Sequence, residues 1–328
     1  MAFDTTINHL IEIPRLGLGW RAALALAVVA AAAATSSCDS PTAASPTTTT
    51  ATPTTTATPT TTITSVATEP RPSGHLDAMV AAQGTEVHVA CDGVGSTTVV
   101  LVAGFESDSD SWALVAPTLA GATRVCTYDR PGTGRSAAPN SVTTFADQAE
   151  LVHDVLGRAG EPGPYVVVGH SFGGAVALEF ATRFTDEGVS VGLVDASPLG
   201  WPTTLCEVAD DGTDAATAIL AMCAGWSDPT ANTEWLDVLG AFAELDTVAT
   251  EGVLTSTPLA VVTAEQRELP DGIAALERDR LTRAWDAGQL RWASLSSASL
   301  VLTVARTGHH IELDQPSLVV EAVTGLLP

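Results

Sequence analysis

The sequence contains no lysine, and its 14 basic residues, all arginines, are outnumbered by 38 acidic residues, giving a formal net charge of −24. Nucleic-acid-binding proteins need a cationic surface that neutralises phosphates, so this composition argues against a nucleic-acid partner. The same charge disfavours anionic substrates, because like charges repel as a ligand approaches. Charge therefore argues against nucleic-acid partners and anionic substrates.

The N-terminal apolar run is too short to cross a membrane. Residues 22–34 are thirteen apolar residues, whereas a bilayer core needs about 20. Arg15 and Arg21 precede this run and "TSSC" follows it, an arrangement typical of a signal peptide. We predict that residues 1–38 are an export signal, and a buried or membrane-anchoring first helix is the alternative. Cys38 is a candidate for lipidation, which would be the protein's means of attachment to a membrane.

Residues 39–74 lack apolar periodicity and consist mostly of Thr, Pro, Ala and Ser. Such a segment cannot offset its loss of conformational entropy by burying apolar surface, so it predicts a disordered linker. Residues 75–328 remain for a folded domain, a length that suits one large hydrophobic core.

The remaining cysteines have no CxxC spacing, and the histidines lie elsewhere in the sequence, which argues against a zinc site. We expect neither a metal nor a cofactor. Four cysteines behind an export signal suggest two disulfides, and the count alone leaves three pairings open. They are Cys91, Cys126, Cys206 and Cys223.

After Thr85, short apolar runs alternate with segments of helical periodicity. The predicted strands are "TEVHVAC", "STTVVLVAG", "TRVCTYD", "YVVVG", "VSVGLVDAS", "TPLAVVTAE" and "SLVLTVART". Helices are predicted in "DSWALVAPTLAG", "TTFADQAELVHDVLGRAG", "GAVALEFATRF" and "QPSLVVEAVTGLL". Continuous Val/Leu runs separated by helices predict an α/β fold with a mainly parallel sheet flanked by helices. Residues 198–256 contain no clear strand, and we interpret them as a helical lid inserted over the site.

"VVVGHSFGGAV" places Ser171 between Gly169 and Gly173, where a predicted strand becomes a helix. The glycines either serve only to turn the chain or hold Ser171 outward as a nucleophile. A sharp strand-to-helix turn needs small residues on both sides and lifts the serine hydroxyl above the carboxyl edge of the sheet. This context favours the nucleophile.

A serine hydroxyl becomes a good nucleophile only when a base takes its proton. His309 follows Gly308 directly after the last predicted strand, in "TGHHIELDQP", and is the predicted base. His310 is the alternative, although a packing role suits it better. His170 adjoins the serine but is expected to point away from it.

The third member of a triad must orient the imidazole and stabilise its charged form. The chain order serine, acid, histidine places it after a strand between Ser171 and His309. Asp195 ends one such strand and Glu265 follows the next. Asp195 is the first choice and Glu265 the alternative.

Acyl transfer also needs backbone N–H donors for the developing oxyanion. Phe172, the residue after the serine, is one candidate donor. Phe105, in the loop after the "TVVLVAG" strand, is the other.

Four segments resemble, in order and spacing, the α/β-hydrolase fold superfamily: "LVAGFESDSDSW", "RVCTYDRPGTGRS", "VVVGHSFGG" and "GHHIELDQP". The resemblance covers residues 84–328 apart from the lid. It implies Ser171 as nucleophile, His309 as base, and Phe105 and Phe172 as oxyanion donors. By the same resemblance, the "YDRPGTGRS" segment is a structural turn.

The sequence departs from that family at two places. Ala103 and Gly104 stand where many members have His-Gly, and no Asp ends the strand after the lid. The second departure leaves the identity of the acid open between Asp195 and Glu265.

The resemblance also predicts a disulfide pairing, because in that fold the strands holding Cys91 and Cys126 are neighbours. Adjacent strands lie about 4.8 Å apart, a separation that a disulfide can bridge. Cys206 and Cys223 both fall in the predicted lid, where a disulfide would stabilise a segment with little core of its own. We therefore predict Cys91–Cys126 and Cys206–Cys223, and four reduced, buried thiols are the alternative.

These residues together predict a secreted or envelope-attached serine hydrolase that cleaves carboxylic esters. Epoxide hydrolases and dehalogenases of similar fold use an Asp nucleophile, which Ser171 argues against. A cofactor-free perhydrolase with the same triad is one alternative. A non-catalytic ligand-binding protein on the same fold is another, although such a protein has no need of all three triad members.

Overall fold

The computed structural model describes residues 73–328. The predicted signal peptide, the lipidation at Cys38 and nearly all of the predicted linker lie outside the described residues.

An eight-stranded sheet with the order β1-β2-β4-β3-β5-β6-β7-β8 forms the centre of the described domain. β2 pairs antiparallel with β1 and with β4, and every other neighbouring pair is parallel. The mainly parallel sheet predicted from the sequence is therefore confirmed. The strands are Leu76–Ala82 (β1), Thr85–Asp92 (β2), Thr98–Val102 (β3), Arg124–Tyr128 (β4), Tyr165–His170 (β5), Ser190–Val194 (β6), Leu259–Ala264 (β7) and Ser299–Val304 (β8).

Helices cover both faces of the sheet. Residues of α2 and α3 pack into one core cluster and residues of α1 and α9 into the other. Because both faces are covered, every residue of β3, β5, β6 and β7 is buried, which explains their continuous Val/Leu runs. The helices are Ala116–Ala120 (α1), Phe145–Ala159 (α2), Gly173–Arg183 (α3), Trp201–Cys206 (α4), Asp214–Trp226 (α5), Val238–Val248 (α6), Ala275–Ala293 (α7), Ile311–Asp314 (α8) and Pro316–Thr324 (α9).

Several elements differ from the sequence prediction, among them the short α8, which was not predicted. β1 was not predicted, and it forms the outer strand of a hairpin with β2. α7 was not predicted either, and it connects β7 to β8. The helix predicted in "DSWALVAPTLAG" is broken into a 3₁₀ turn at Ser109–Trp112 and the short α1. Pro117 explains the break, because it has no N–H to donate and is tolerated only in a helix's first turn.

The segment between β6 and β7 contains α4, α5 and α6, in agreement with its predicted helical character. We call residues 195–258 the β6–β7 segment. Trp201, Leu205 and Ile219 of this segment pack with Leu281 and Trp285 of α7 in a small cluster separate from the two main cores. That the segment acts as a lid stays a prediction.

The structure contains the two disulfides expected from the sequence. Cys91 and Cys126 are directly opposite in the β2–β4 register, with Cα atoms 4.1 Å apart. Cys206 and Cys223 join α4 to α5 across a Cα distance of 5.6 Å.

We expect peptide mapping of the protein, produced in an oxidising compartment, under non-reducing conditions to recover these two linkages. A second measurement tests the contribution of Cys206–Cys223, because closing a loop of this size contributes about 3 kcal/mol. Replacing both Cys206 and Cys223 by serine should lower the free energy of unfolding by about that amount. A Cys91-to-Cys206 linkage, or four free thiols, would contradict the pairing.

Within the part of the chain that the structure describes, no helix is both long and apolar enough to cross a membrane.

Candidate active site

Ser171 stands at a strained turn between β5 and α3. Its φ of +53° lies in the left-handed region, which a side chain other than glycine's rarely occupies. A Cβ on Gly169 would lie 2.1 Å from the Gly173 carbonyl oxygen, and one on Gly173 would lie 2.4 Å from that of Val102. The two glycines are therefore needed for the close approach of backbone around Ser171, and turning the chain is only part of their role.

Ser171 is tied to the end of the neighbouring strand β6. Its carbonyl oxygen accepts hydrogen bonds from the N–H groups of Gly174 and Ser197, each at 3.1 Å. Its hydroxyl lies 3.3 Å from Ser197 Oγ. Within residues 73–328 this is the hydroxyl's single hydrogen bond.

The structure brings His309 and Asp195 together. His309 Nδ1 lies 2.8 Å from Asp195 Oδ2, and the two residues come from the loops after β8 and β6. Asp195 is 2% exposed and has a φ of +39°, so its turn too is strained. A buried carboxylate hydrogen-bonded to Nδ1 leaves Nε2 of the imidazole free to accept a proton.

The other carboxylate oxygen of Asp195 accepts three hydrogen bonds, so the protein supplies this buried oxygen with donors in place of water. Its Oδ1 accepts from the Ala264 N–H at 3.0 Å, Thr263 Oγ1 at 3.1 Å and Trp285 Nε1 at 3.4 Å. The Arg267 guanidinium lies 3.7 Å from the same oxygen. These donors hold the carboxylate in one orientation.

Glu265 makes no hydrogen bond to the His309 imidazole in the described residues. It is exposed, and its Oε2 accepts a hydrogen bond from the Arg306 N–H at 2.9 Å. A different carboxylate, that of Glu268, accepts from the His309 backbone N–H at 3.2 Å. Of the two candidate acids, Asp195 alone bonds to the His309 ring.

His170 and His310 flank His309 without touching Asp195. His170 is buried, and its Nε2 donates to the His309 carbonyl oxygen at 3.0 Å. Burial holds the pKa of His170 well below its usual value, so its ring is neutral and its one N–H supports the His309 loop. His310 is half exposed, and its Nδ1 lies 3.1 Å from Glu312 Oε1.

Two groups of side chains could in principle hold a metal ion in the described residues. His170, His310 and Glu312 bring donor atoms within 4.8 Å of one another. Burial raises the pKa of Glu312, which opposes the ionised form that a metal requires. The second group includes Cys91 and Cys126, whose sulfurs are already joined in a disulfide.

Phe105 and Phe172 offer backbone N–H groups at the site. Phe172 begins the turn into α3, and Phe105 lies in the loop after β3. Because β3 and β5 are adjacent parallel strands, both residues lie at the same edge of the sheet. Their rings pack with centroids 5.0 Å apart. Among residues 73–328, neither N–H has a protein acceptor, which leaves both available to a ligand.

A pocket of about 400 Å³ opens beside these groups. Its size is that of a small-molecule binding site. Ser171, Asp195 and His309 all line it, together with Phe105 and Phe172. Much of the remaining wall is apolar and comes mainly from the β6–β7 segment and α7: Trp201, Leu205, Ile219, Met222, Trp226, Leu281 and Trp285. Gln266, Arg267 and Glu268 of the loop after β7 add polar side chains to it.

Comparison with known proteins agrees with this fold. The sequence profile described as "Alpha/beta hydrolase family" matches residues 99–322. The chain belongs to the alpha/beta hydrolase family.

A similar curated protein is the dihydrolipoyllysine-residue acetyltransferase component of the acetoin cleaving system of Cupriavidus necator. It is 37% identical over 134 residues, which are 39% of this chain and 35% of that protein. The chain thus spans about a third of this relative's length.

Two solved structures are similar across most of the described domain. A thermophilic esterase from Thermogutta terrifontis has a TM-score of 0.54 and 20% identity, covering 77% of this chain and 97% of that chain. An N-acyl homoserine lactone degrading enzyme has a TM-score of 0.55 and 19% identity, covering 76% and 100%. At these identities the likeness shows the fold alone.

Sequence reasoning did not identify the side chains that contact Ser171 or Asp195. Ser197, Thr263, Arg267 and Trp285 touch Ser171 or Asp195 in this alpha/beta hydrolase. Ser197 lies two residues after Asp195, and Thr263 lies two residues before Glu265 in a predicted strand, so proximity along the chain to the candidate acids could have found these two. Trp285 lies on the unpredicted α7, and no local signal marks it.

Proposed function

We propose that this protein is a serine hydrolase that cleaves carboxylic esters through an acyl-enzyme intermediate. In this proposal Ser171 is the nucleophile, His309 the general base and Asp195 the orienting acid. The observation that carries it is the 2.8 Å hydrogen bond from His309 to the buried Asp195, in the pocket that Ser171 also lines.

In the first half of the reaction, the Ser171 oxygen attacks the ester carbonyl while His309 Nε2 takes the hydroxyl proton. The tetrahedral intermediate then collapses, and His309 returns that proton to the departing alcohol oxygen. Water enters the pocket and attacks the acyl-serine, with His309 again as base. Release of the carboxylic acid restores Ser171.

The hydroxyl of Ser171 bonds to Ser197 in the structure. Catalytic hydrogen bonds are often long or misaligned without substrate and form only in the complex. We propose that the hydroxyl turns from Ser197 to His309 when an ester occupies the pocket. Asp195 then stabilises the imidazolium that forms.

The free N–H groups of Phe105 and Phe172 support the same reaction class. An ester carbonyl oxygen gains negative charge as the carbon becomes tetrahedral, and two converging N–H donors stabilise that charge.

We propose that the substrate is an uncharged ester with an apolar acyl group, because much of the pocket lining is apolar and its guanidinium, that of Arg267, is already paired with Asp195 and Asp286. Trp201, Ile219, Met222 and Trp226 present apolar surface to the cavity. The net charge of −24 disfavours anionic substrates in addition.

A fluorophosphonate probe and an ester panel test this proposal. We expect the probe to label the native protein, but not the heat-denatured protein, with the adduct on the peptide that contains Ser171. In the panel, p-nitrophenyl butyrate or hexanoate should exceed the matched succinate monoester by at least about 10-fold in kcat/KM. An adduct elsewhere, or no ester turnover, would contradict the proposal.

We also propose that the protein is exported. Two disulfides support this, because such bonds persist in oxidising compartments. The predicted signal sequence in residues 1–38 supports it further.

A further inference from the structure

A buried ion pair lies behind the loop that carries the Phe105 N–H. Arg130 Nε lies 2.8 Å from Glu234 Oε2, and one terminal nitrogen lies 2.9 Å from Oε1. The side chains are 3% and 1% exposed. Arg130 comes from the turn after β4, whereas Glu234 comes from the β6–β7 segment, 104 positions later.

The guanidinium also holds two backbone carbonyls of that loop. Its terminal nitrogens donate to the Ala103 oxygen at 2.6 Å and to the Gly104 oxygen at 2.5 Å. In a trans peptide the C=O of one residue and the N–H of the next point in opposite directions. Because Arg130 binds the Gly104 oxygen, the Phe105 N–H points away from Arg130.

Glu234 holds the next peptide of the same loop. Its Oε1 accepts a hydrogen bond from the Glu106 N–H at 2.6 Å. The Glu106 side chain in return accepts from the Thr233 N–H at 3.0 Å. Glu106 has a φ of +53°, a conformation that a non-glycine residue keeps only where its surroundings impose it.

We propose that Arg130 and Glu234 are positioning residues that aim the Phe105 N–H at the substrate's developing oxyanion. This inference rests on the proposed esterase function and adds residues to it. The guanidinium sets the direction of one peptide and the carboxylate that of the next. The pair therefore couples the pocket-forming β6–β7 segment to the oxyanion donor.

A positioning role of this kind predicts that a variant loses stabilisation of the transition state but keeps its affinity for the substrate. An oxyanion donor contributes about 100-fold or more to kcat, and uniform substrate binding does not depend on it. We expect Arg130→Lys to lower kcat by about 100-fold with KM within threefold, because one ammonium, with three donors on a single nitrogen, cannot replace the four hydrogen bonds that the planar guanidinium makes to two carbonyls and both carboxylate oxygens. Affinity for a trifluoromethyl ketone, whose serine adduct carries an oxyanion, should fall by a similar factor.

The chain offers a matched control in a second buried ion pair. Arg124 and Glu161 are 4% and 1% exposed, and Arg124 likewise donates to the carbonyls of Gly74 and Gly93. Neither residue lines the pocket. Arg124→Lys should therefore lower the unfolding temperature and leave kcat and ketone affinity within threefold of the wild type, at a temperature where it is folded.

Glu234→Gln and Glu161→Gln form a second pair of variants, which keep the side-chain shape and remove only the charge, for the case that Arg130→Lys does not fold. We expect a loss of about 10-fold in kcat and in ketone affinity for Glu234→Gln, and no loss for Glu161→Gln. Equal effects in the two members of either pair would overturn the positioning role. A wild-type protein without ester turnover or probe labelling would instead refute the esterase function and, with it, this inference.

Discussion

Replacing Ser171 by alanine is expected to lower ester turnover by about 10⁴-fold or more and to abolish fluorophosphonate labelling. Without its Oγ no acyl-enzyme can form, and only substrate binding and the oxyanion donors remain. The fold should persist, because the hydroxyl makes one hydrogen bond, to Ser197, within residues 73–328. Turnover of a chromogenic ester measures the effect, with the unfolding temperature recorded for each variant.

Ser197→Ala is the matched control for that variant. It removes the other half of the same hydroxyl pair but leaves the nucleophile in place, so activity within about tenfold of the wild type is expected. If Ser171→Ala keeps more than about a tenth of wild-type turnover, Ser171 is not the nucleophile.

His309 and His310 allow the same comparison for the base. His309→Ala should lower ester turnover by a factor similar to that of Ser171→Ala, because the hydroxyl then has no group to take its proton. His310→Ala should change ester turnover only slightly, since this ring is half exposed and bonds to Glu312 instead of Asp195. Similar losses in both variants would leave the base unassigned.

Asp195→Asn is expected to reduce kcat by about 10³-fold or more. The asparagine oxygen can still accept from the Ala264 N–H, which turns its NH₂ group toward His309 Nδ1. The imidazole must then carry its proton on Nε2, where it cannot accept one from Ser171. The pH dependence of kcat and single-turnover acylation rates measure this loss.

Glu265→Gln makes the same chemical change at the alternative acid. Its carboxylate is exposed and bonds to the Arg306 N–H, so we expect activity within about twofold of the wild type. Equal, mild effects of Asp195→Asn and Glu265→Gln would mean that neither carboxylate orients the base.

The elements that depend on local sequence were predictable. α2 was predicted from its periodicity, and it begins with a capping box of Thr144 and Asp147 and ends at Gly160, whose φ is +76°. The turn at Ser171 was predictable for the same reason, because its glycines act on backbone within a few residues. Continuous apolar runs were enough to predict buried parallel strands.

The choice between Asp195 and Glu265 was not available from sequence. Both residues follow neighbouring parallel strands, so both reach the same edge of the sheet near the His309 loop. The strained turn of Asp195 and the donors from β7 and α7 aim its carboxylate inward, whereas Glu265 bonds to the turn after β8. Side-chain direction at a strand end depends on such long-range contacts.

The sequence by itself determined the α/β class, the parallel strands and the turn that presents Ser171, because each follows from periodicity or from sterics over a few residues. Only the tertiary structure decided which acid contacts His309 and how the Phe105 peptide is oriented. The contacts responsible join residues far apart in the chain, such as Arg130 to Glu234 and Asp195 to His309. Hydrogen bonds of this kind form only when the sheet has brought the loops together, so no local pattern encodes them.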